Sequence, residues 1–346
     1  MQRRKTKYGG LAFLLSFPLF FISLLIGCGG TPVAGPPPQV MAPQGTAPAF
    51  PSFVAVIVQE GDTLPSLASK YLHDPSLDWL IADFNDTTTL RPGQKIIIPL
   101  KDYDRGGLTV KGYQTVPVLS YHKFSNSRGD KMTVTASAFE EQMKFLKDRG
   151  YRVITMDQLF DFLDFKAQIP RKSVVITIDD GWRSAYDIAL PILKKYGYPA
   201  TLFVYSDLIT GSKKTLDWSL VREMADNGID IQCHTKTHRS LTIPLEKESF
   251  KEYFEAIEKE LLDAARLIKT KTDRDVRYLA YPFGDTNHLV IALLKKQGYR
   301  GGLNVKRDGN AFFVNNYRVN RSMIYGDYDL KQFEKNLAVF ADEALR

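Results

Sequence analysis

The segment Val174-Val175-Ile176-Thr177-Ile178-Asp179-Asp180-Gly181-Trp182 joins a run of apolar and β-branched residues to two adjacent carboxylates. A continuous run of this kind, bounded by a glycine turn, is typical of a strand buried on both faces of a parallel sheet. Residues 229–233 end similarly in His234-Thr235-Lys236-Thr237-His238, and residues 116–121 in His122. Because parallel strands bring their carboxyl ends to one edge, we expect these ionisable side chains to lie together.

The chain beyond residue 112 repeats this alternation of strand-type runs with helical spacing. The alternation predicts an α/β fold in which parallel strands are joined by helical crossovers, as an open sheet or a barrel. The predicted strands are 116–121, 174–178, 200–204, 229–233, 278–281 and 301–305, and the predicted helices are 138–149, 185–196, 216–227, 249–269 and 289–297.

The two motifs at strand ends suit a metal site. Successive side chains of a strand alternate in direction, so Asp179 and Asp180 can have different roles. One can bind a metal while the other acts on a water molecule. His234 and His238 can converge on the same ion if the chain turns between them, and two histidines with one carboxylate leave positions open for water and substrate. Taken singly, the first motif also suits a capped turn and the second a surface turn. Their joint occurrence favours a site.

These residues resemble the motifs of NodB-type polysaccharide deacetylases, carbohydrate esterase family 4. The resemblance covers residues 113 to 340 and is closest to the branch of poly-β-1,6-N-acetylglucosamine deacetylases. It implies a distorted (β/α) barrel of about seven strands. The matching segments are Thr177-Ile178-Asp179-Asp180-Gly181, His234 to His238, Tyr281-Pro282-Phe283-Gly284, Pro117 to His122, Phe139-x-x-Gln142-x-x-x-Leu146, Gly150-Tyr151 and Trp218.

The resemblance implies roles for these residues. Asp180, His234 and His238 correspond to ligands of one divalent metal ion, most simply Zn²⁺, with Co²⁺ or Ni²⁺ as alternatives. Asp179 corresponds to the general base, and a backbone N–H in the Tyr281 region to a donor for the oxyanion. The implied reaction removes N-acetyl groups from an N-acetylglucosamine-containing polysaccharide, either poly-β-1,6-N-acetylglucosamine or peptidoglycan.

The sequence departs from the family pattern at the general acid and at one arginine. Members commonly take the acid from a Leu-x-His motif near the C-terminus, yet no histidine follows His288. The branch implies His122 as the acid instead, the alternative being a hydrogen-bonded histidine at a strand end. Members of the family usually have an arginine just before the motif that corresponds to Tyr281-Pro282-Phe283-Gly284, the third motif. Leu279-Ala280 stands there instead, and Arg318 or Arg321 could orient the catalytic carboxylate in its place.

A further group of residues is expected to contact the sugar chain. Aromatic rings there could stack on sugar faces, although for Trp218 packing of a helix against the barrel is an equal alternative. Cys233 is expected to face away from the site as a small core residue. The predicted substrate-binding residues are Tyr281, Pro282, Trp182, Trp218 and Arg321.

Residues 53–100 predict a compact βααβ unit, with Thr63 as the cap of its first helix. The unit resembles a LysM module, a family that binds N-acetylglucosamine-containing glycans such as peptidoglycan beside its turns. A small spacer without a ligand is the alternative. The matching residues are Gly61-Asp62-Thr63-Leu64, Ala68, Trp79, Asn85 and Leu90-x-Pro92-Gly93-Gln94-x-Ile96-x-Ile98-Pro99.

The N-terminus carries the pattern of an exported lipoprotein. Four basic residues precede an apolar run too short for a transmembrane helix, which then ends in Leu25-Ile26-Gly27-Cys28. This end resembles a lipoprotein cleavage site and predicts a signal peptide over 1–27, lipidation of Cys28 and a Pro/Gly/Ala-rich tether over 28–52. Gly29 implies an outer-membrane anchor facing the periplasm. A cleavage site with an incidental cysteine is the alternative.

The net charge bears on the class of partner, and the cysteine content bears on disulfide bonding. The formal net charge is +7, and removing the four basic residues before Cys28 leaves +3, which gives no support for a nucleic-acid partner. Only Cys233 then remains as a thiol, so no intramolecular disulfide is expected. A polar linker over 101–112 separates the LysM-like unit from a deacetylase domain over 113–346.

Two other function classes stay open at this point. One is a non-catalytic, wall-binding lipoprotein with a decayed barrel, against which the presence of all four motif residues speaks. The other is a metal amidase that acts on non-sugar amides, because the same side chains suit any acetamide-like carbonyl.

Overall fold

The computed structural model describes residues 52–343. The signal peptide predicted for 1–27, the lipidation site Cys28 and the tether as far as residue 51 lie outside the described residues. Within that range, no helix has both the length and the apolar character that crossing a membrane requires.

The N-terminal unit has the expected βααβ order. Strand β1 (Phe53–Ile57) is followed by helices α1 (Leu64–Leu72) and α2 (Asp78–Phe84), and β2 (Lys95–Pro99) pairs antiparallel with β1. The Thr63 side chain accepts a hydrogen bond from the N–H of Ser66 and so caps α1, as predicted. The unit has its own apolar core, made by Val58, Leu67, Ala68, Ile81, Ile96 and Ile98.

The larger part of the chain alternates strands with helices. The strands are β3 (Leu108–Thr109), β4 (Gly112–Gln114), β5 (Val118–Tyr121), β6 (Lys123–Ser125), β7 (Thr133–Thr135), β8 (Arg152–Val153), β9 (Ser173–Asp180), β10 (Ala200–Val204), β11 (Ile229–Cys233), β12 (Tyr278–Ala280), β13 (Gly301–Leu303), β14 (Ser322–Met323) and β15 (Phe340–Asp342). The helices are α3 (Ala136–Asp148), α4 (Met156–Leu163), α5 (Leu190–Tyr196), α6 (Trp218–Asp226), α7 (Phe250–Thr272), α8 (His288–Lys296) and α9 (Leu330–Glu334).

Seven parallel strands form the central sheet in the order β13-β12-β11-β10-β9-β5-β14, and the short β8 adds to the start of β9. A single parallel bridge joins Leu303 at the end of β13 to Val319 just ahead of β14. The sheet therefore curls into a seven-stranded half-barrel, which confirms the barrel expected from the sequence. Of these seven strands only β14 has no counterpart among the predicted strands, and the added strand β8 was not predicted either.

The side chains on the two faces of β9 pack into different hydrophobic cores. Val174, Ile176 and Ile178 pack with the surrounding helices, whereas Val175 belongs to the cluster that lines the inside of the curl with residues such as Tyr278. Because side chains alternate, Thr177 and Asp179 share the face of Val175. Asp179 is thereby directed into the interior of the barrel.

The amino end of the barrel is held by an ionic network around Arg300. Its guanidinium lies 2.6 Å from Asp161 Oδ1 and 2.9 Å from Asp164 Oδ2, both on or beside α4. Asp164 also accepts hydrogen bonds from Lys166 and Asn316. Burial raises the pKa of Asp164, but these hydrogen bonds outweigh it and hold the pKa at about 2.

We expect Arg300→Met to lower the free energy of unfolding by about 1–3 kcal/mol at neutral pH, because the variant leaves neighbouring carboxylates unpaired. Since the folded-state pKa of Asp164 lies below its ordinary value of 3.8, the lost stabilisation is present above that value and disappears as pH falls toward 2. Denaturant unfolding at neutral pH and near pH 3 measures the difference.

The matched control is Lys166→Met, which removes a more exposed partner of the same carboxylate and should cost under about 1 kcal/mol. Equal losses for the two variants, or a loss at Arg300 that does not change with pH, would contradict this account.

Candidate active site

The carboxyl ends of β5, β9 and β11 bring the predicted residues together. His122 follows β5, Asp179 and Asp180 end β9, and His234 follows β11 directly. The His122 Nε2 lies 3.9 Å from Asp179 Oδ2, and the His234 Nε2 lies 3.7 Å from Asp180 Oδ1. His238 completes the group. All five residues predicted at this edge of the sheet therefore form one cluster.

Asp180, His234 and His238 have the arrangement of a metal-binding triad. Their potential ligand atoms all lie within 4.8 Å of one another. The two Nε2 atoms are 3.2 Å apart, and that of His238 lies 3.8 Å from Asp180 Oδ1. Two imidazole nitrogens and one carboxylate oxygen converging from one side form a donor set that fits a divalent transition metal.

Neighbouring groups fix the orientation of two of these side chains. His234 Nδ1 lies 2.7 Å from the carbonyl oxygen of Ala280, so this nitrogen carries the proton and Nε2 keeps its lone pair for a metal. Trp182 Nε1 donates to Asp180 Oδ2 at 2.8 Å, which leaves Oδ1 directed at the histidines. Burial lowers the pKa of His234 to about 4, which keeps this imidazole neutral at physiological pH.

The backbone of the triad is strained. Asp180, Thr235 and His238 have φ values of 81°, 71° and 64°, in the left-handed region that non-glycine residues seldom adopt. Such conformations persist where surrounding contacts enforce them. The turn after β9 lets Asp180 leave the helix-facing side of the strand and face the histidines, while Asp179 stays inside the barrel.

Glu260 holds the histidine loop, and the sequence analysis missed it. This buried residue of α7 accepts hydrogen bonds from the N–H groups of Lys236 and Thr237 at 3.0 and 2.8 Å, and from the Thr237 hydroxyl at 2.8 Å. The only sequence cue was a glutamate on the apolar face of a long amphipathic helix. Its contacts explain how a five-residue segment places both imidazoles at one point.

Asp179 lies beside the triad as a buried carboxylate. It is 1% exposed; Arg321 Nη1 donates to its Oδ1 at 2.7 Å, and the Ser120 hydroxyl lies 3.4 Å from Oδ2. Burial raises the pKa of Asp179, but the charge of Arg321, with smaller contributions from His234 and His122, holds it well below its usual range. Asp179 is therefore ionised at neutral pH.

Arg321 occupies a different place from the one expected of a substrate-binding residue. Its side chain is fully buried, and its guanidinium bonds Asp179, Thr177 Oγ1 and the carbonyl of Asn304. A sugar cannot reach it. Of the two arginines considered as orienting groups, Arg321 makes this contact, whereas Arg318 is exposed.

The third motif, Tyr281-Pro282-Phe283-Gly284, also differs from the prediction that Tyr281 and Pro282 contact the sugar chain. Tyr281 is fully buried, and its hydroxyl donates to the carbonyl of Tyr317 at 2.9 Å, so its ring cannot stack on a sugar. Its N–H donates to the carbonyl of Leu303 at 2.9 Å and is not free for an oxyanion. Pro282 is buried as well. Tyr281 belongs to the core that packs with the helices, which explains this burial.

Other aromatic residues surround the cluster. Phe283 is 64% exposed, and its ring centroid lies 5.0 Å from that of His238, so it replaces Tyr281 as the accessible aromatic ring of this motif. Lys123 Nζ lies 4.0 Å from the centroid of a Trp182 ring. Trp218 packs against the core, in keeping with the packing alternative, and Cys233 is buried in that core as expected.

Comparisons with known proteins match both domains of the chain. The sequence profile described as Polysaccharide deacetylase matches residues 166–302, and that of the LysM domain matches residues 56–99. The putative polysaccharide deacetylase YxkH of Bacillus subtilis is 31% identical over 215 residues, 60% of this chain and 72% of that protein. The poly-beta-1,6-N-acetyl-D-glucosamine N-deacetylase of Staphylococcus epidermidis is 28% identical over 205 residues, 56% and 69% of the two chains.

A solved structure shares the fold. The Streptococcus pyogenes deacetylase PplD superposes with a TM-score of 0.58 at 23% identity, over 65% of this chain and 98% of that one. The chain belongs to the polysaccharide deacetylase family of enzymes and carries a LysM domain ahead of its barrel.

Proposed function

We propose that this protein is a metal-dependent hydrolase that removes N-acetyl groups from an N-acetylglucosamine-containing polysaccharide. The observation that carries the proposal is the placement of a buried, ionised Asp179 next to the triad of Asp180, His234 and His238. A divalent cation held by the triad, most simply Zn²⁺ with Co²⁺ or Ni²⁺ as alternatives, would polarise the acetyl carbonyl and lower the pKa of water.

Asp179 serves as the general base in this proposal. It is ionised and is not needed as a triad member, so one carboxylate oxygen can accept the proton of the attacking water. Arg321 engages Oδ1, which fixes the carboxylate plane and leaves Oδ2 facing His122 and His234. Asp179 thus acts from a fixed position.

His122 serves as the general acid. A sugar amine is too basic to leave as an anion and must be protonated as the C–N bond breaks. The His122 side chain is partly exposed and lies nearest to Asp179 Oδ2, whereas Arg321 contacts Oδ1, so His122 is within reach of a group bound at the cluster. Trp182 and Phe283 border the same opening and would contact the sugar chain.

The substrate class follows from the two domains together. Relatives named poly-beta-1,6-N-acetyl-D-glucosamine N-deacetylases favour that polymer, whereas the LysM domain favours peptidoglycan or its neighbourhood. Both contain N-acetylglucosamine, so the proposal names this sugar and not a linkage. The LysM domain would bind the glycan of the cell wall.

A LysM domain joined to a polysaccharide deacetylase indicates an extracytoplasmic protein. We further propose that residues 1–27 are a signal peptide, that Cys28 carries the lipid, and that residues 28–52 tether the LysM domain (53–100), the linker (101–112) and the deacetylase domain (113–346). The anchor would lie in the outer membrane and face the periplasm.

The first test is acetate release from β-1,6- and β-1,4-linked N-acetylglucosamine oligomers and from peptidoglycan, with Zn²⁺, Co²⁺ or Ni²⁺ added. We expect Asp179→Asn to lower turnover by at least about 10²-fold, because the amide cannot accept a proton. Metal affinity, measured by calorimetric titration, should stay within a few fold of wild type. The surface variant Asp226→Asn is the control.

Full activity of Asp179→Asn would remove this residue as the base. Stoichiometric metal binding without acetate release from any glycan would instead favour a non-catalytic wall-binding protein, and turnover of small amides alone would favour a metal amidase.

For His122→Ala we expect intact metal binding and a drop in turnover of about 10²-fold or more, the loss expected when acid catalysis is removed. His288→Ala is the matched control, since His288 is exposed at the start of α8. The acid assignment is wrong if the two variants release acetate at equal rates.

For Arg321→Gln we expect the acid limb of the kcat/KM profile to move to higher pH. Burial raises the pKa of Asp179 and the arginine charge lowers it, so without that charge Asp179 takes up a proton at higher pH. The deficit in kcat/KM should therefore shrink as pH rises. Arg318→Gln is the control, and acid limbs that coincide would contradict an orienting role for Arg321.

A further inference from the structure

A groove of about 780 Å³ lies between the LysM domain and the barrel, and we call it the junction groove. The LysM side contributes Trp79, Thr87 and Thr88, and the barrel side contributes Lys147, Arg149 and Tyr198. The junction is fixed by an ion pair of 2.8 Å between Arg152 and Asp78, and by the N–H of Arg171 bonding to Asp83 at 3.0 Å. The groove is therefore part of the folded structure.

The junction groove lies at the opposite end of the barrel from the metal-binding triad. Lys172 lines the groove, and the next residue, Ser173, begins β9, which ends at Asp180. Eight residues at roughly 3.3 Å each separate the two places by about 25 Å. A sugar unit held in the groove cannot also be the unit at the triad.

The aromatic lining of the groove suits a sugar chain. Trp79 faces it from the LysM side, and Tyr151, Tyr196 and Tyr198 face it from the barrel. The Tyr196 and Tyr198 rings stack with centroids 5.7 Å apart and planes inclined by 26°, which gives a broad platform with polar edges. Rings with one apolar face and a hydroxyl tip suit ligands that are part apolar and part polar.

The charge of the groove suits an anionic chain. Five basic and three acidic side chains line it, and two of the acids are already engaged, Asp78 by Arg152 and Asp83 by the N–H of Arg171. Lys147 and Arg149 have no carboxylate partner among residues 52–343. Unpaired cations beside aromatic rings favour a glycan that carries carboxylates.

We propose that the junction groove binds a strand of peptidoglycan whose stem peptides present carboxylates to Lys147 and Arg149. Both domains build this site, so the LysM domain does not bind alone. The inference rests on the proposed function, because it assigns the groove to holding one strand while the triad acts on another strand or on a distant part of the same one.

The test compares full-length protein carrying Lys147→Gln and Arg149→Gln with a control carrying Lys259→Gln and Arg266→Gln. The control changes net charge equally at exposed positions of α7, away from the groove. Binding to peptidoglycan sacculi is measured by co-sedimentation, before and after carbodiimide coupling to methylamine converts the stem-peptide carboxylates to neutral amides and leaves the cross-links intact. Acetate release from short soluble N-acetylglucosamine oligomers is measured in parallel.

We expect the groove variant to bind untreated sacculi at least about fivefold more weakly than the control, and to equal it on amidated sacculi. Both variants should keep the wild-type kcat and KM on short oligomers, since the triad is remote. Equal binding of the two variants to untreated sacculi overturns the proposal, and so does a loss that persists on amidated sacculi. Absence of acetate release from wild type refutes the proposed function but leaves the binding result interpretable.

Discussion

The buried ion pair between Arg321 and Asp179 is the interaction on which the rest of the site depends. A carboxylate that is 1% exposed would take up a proton without a compensating charge, and a protonated Asp179 could not act as a base. The arginine is itself secured by the Asn304 carbonyl and by the Phe203 ring, 5.5 Å from its guanidinium carbon. Closing the curl with β14 is what delivers this cation, so the fold and the protonation state of the base are coupled.

The two ends of the barrel differ in their interactions and in their backbone conformation. At the amino end, the network of Arg300 and the contacts with the LysM domain join elements far apart in sequence, and Arg300 and Arg152 are paired there with carboxylates. At the carboxyl end, Asp180, Thr235 and His238 adopt strained backbone conformations, and their side chains point at a common space. Stability gathered at one end offsets the strain that a functional site carries at the other.

Much of this arrangement could be predicted from the sequence. The strands at 200–204 and 229–233 match their predicted bounds because short, largely buried runs with clear turn residues have one interpretation. Strand β14 was missed because two residues show no periodicity. Helix α4, which begins with a capping box of Thr155 and Gln158, was also not predicted. The positions of the base and the triad depend on strand ends, which the sequence marks clearly.

The errors in the predicted positions of the site residues have a common physical cause. Tyr281 and Arg321 were expected at the surface of the site, but the direction of a side chain at a strand end depends on the closing sheet, which a motif does not encode. Glu260 escaped notice because its partners are backbone N–H groups 23 and 24 residues away along the chain. Contacts of that range appear only once the tertiary structure is known.

The alternation of side-chain direction along β9 limits which changes of sequence this enzyme can tolerate. Asp179 and Asp180 are chemically the same side chain, and in the proposed mechanism only the parity of their position along the strand makes one a base and the other a ligand. A shift of one residue in the pairing of β9 with β10 would exchange their surroundings and leave the arginine facing the wrong carboxylate. Insertion of a single residue inside this strand should therefore abolish function while the composition of the site stays unchanged.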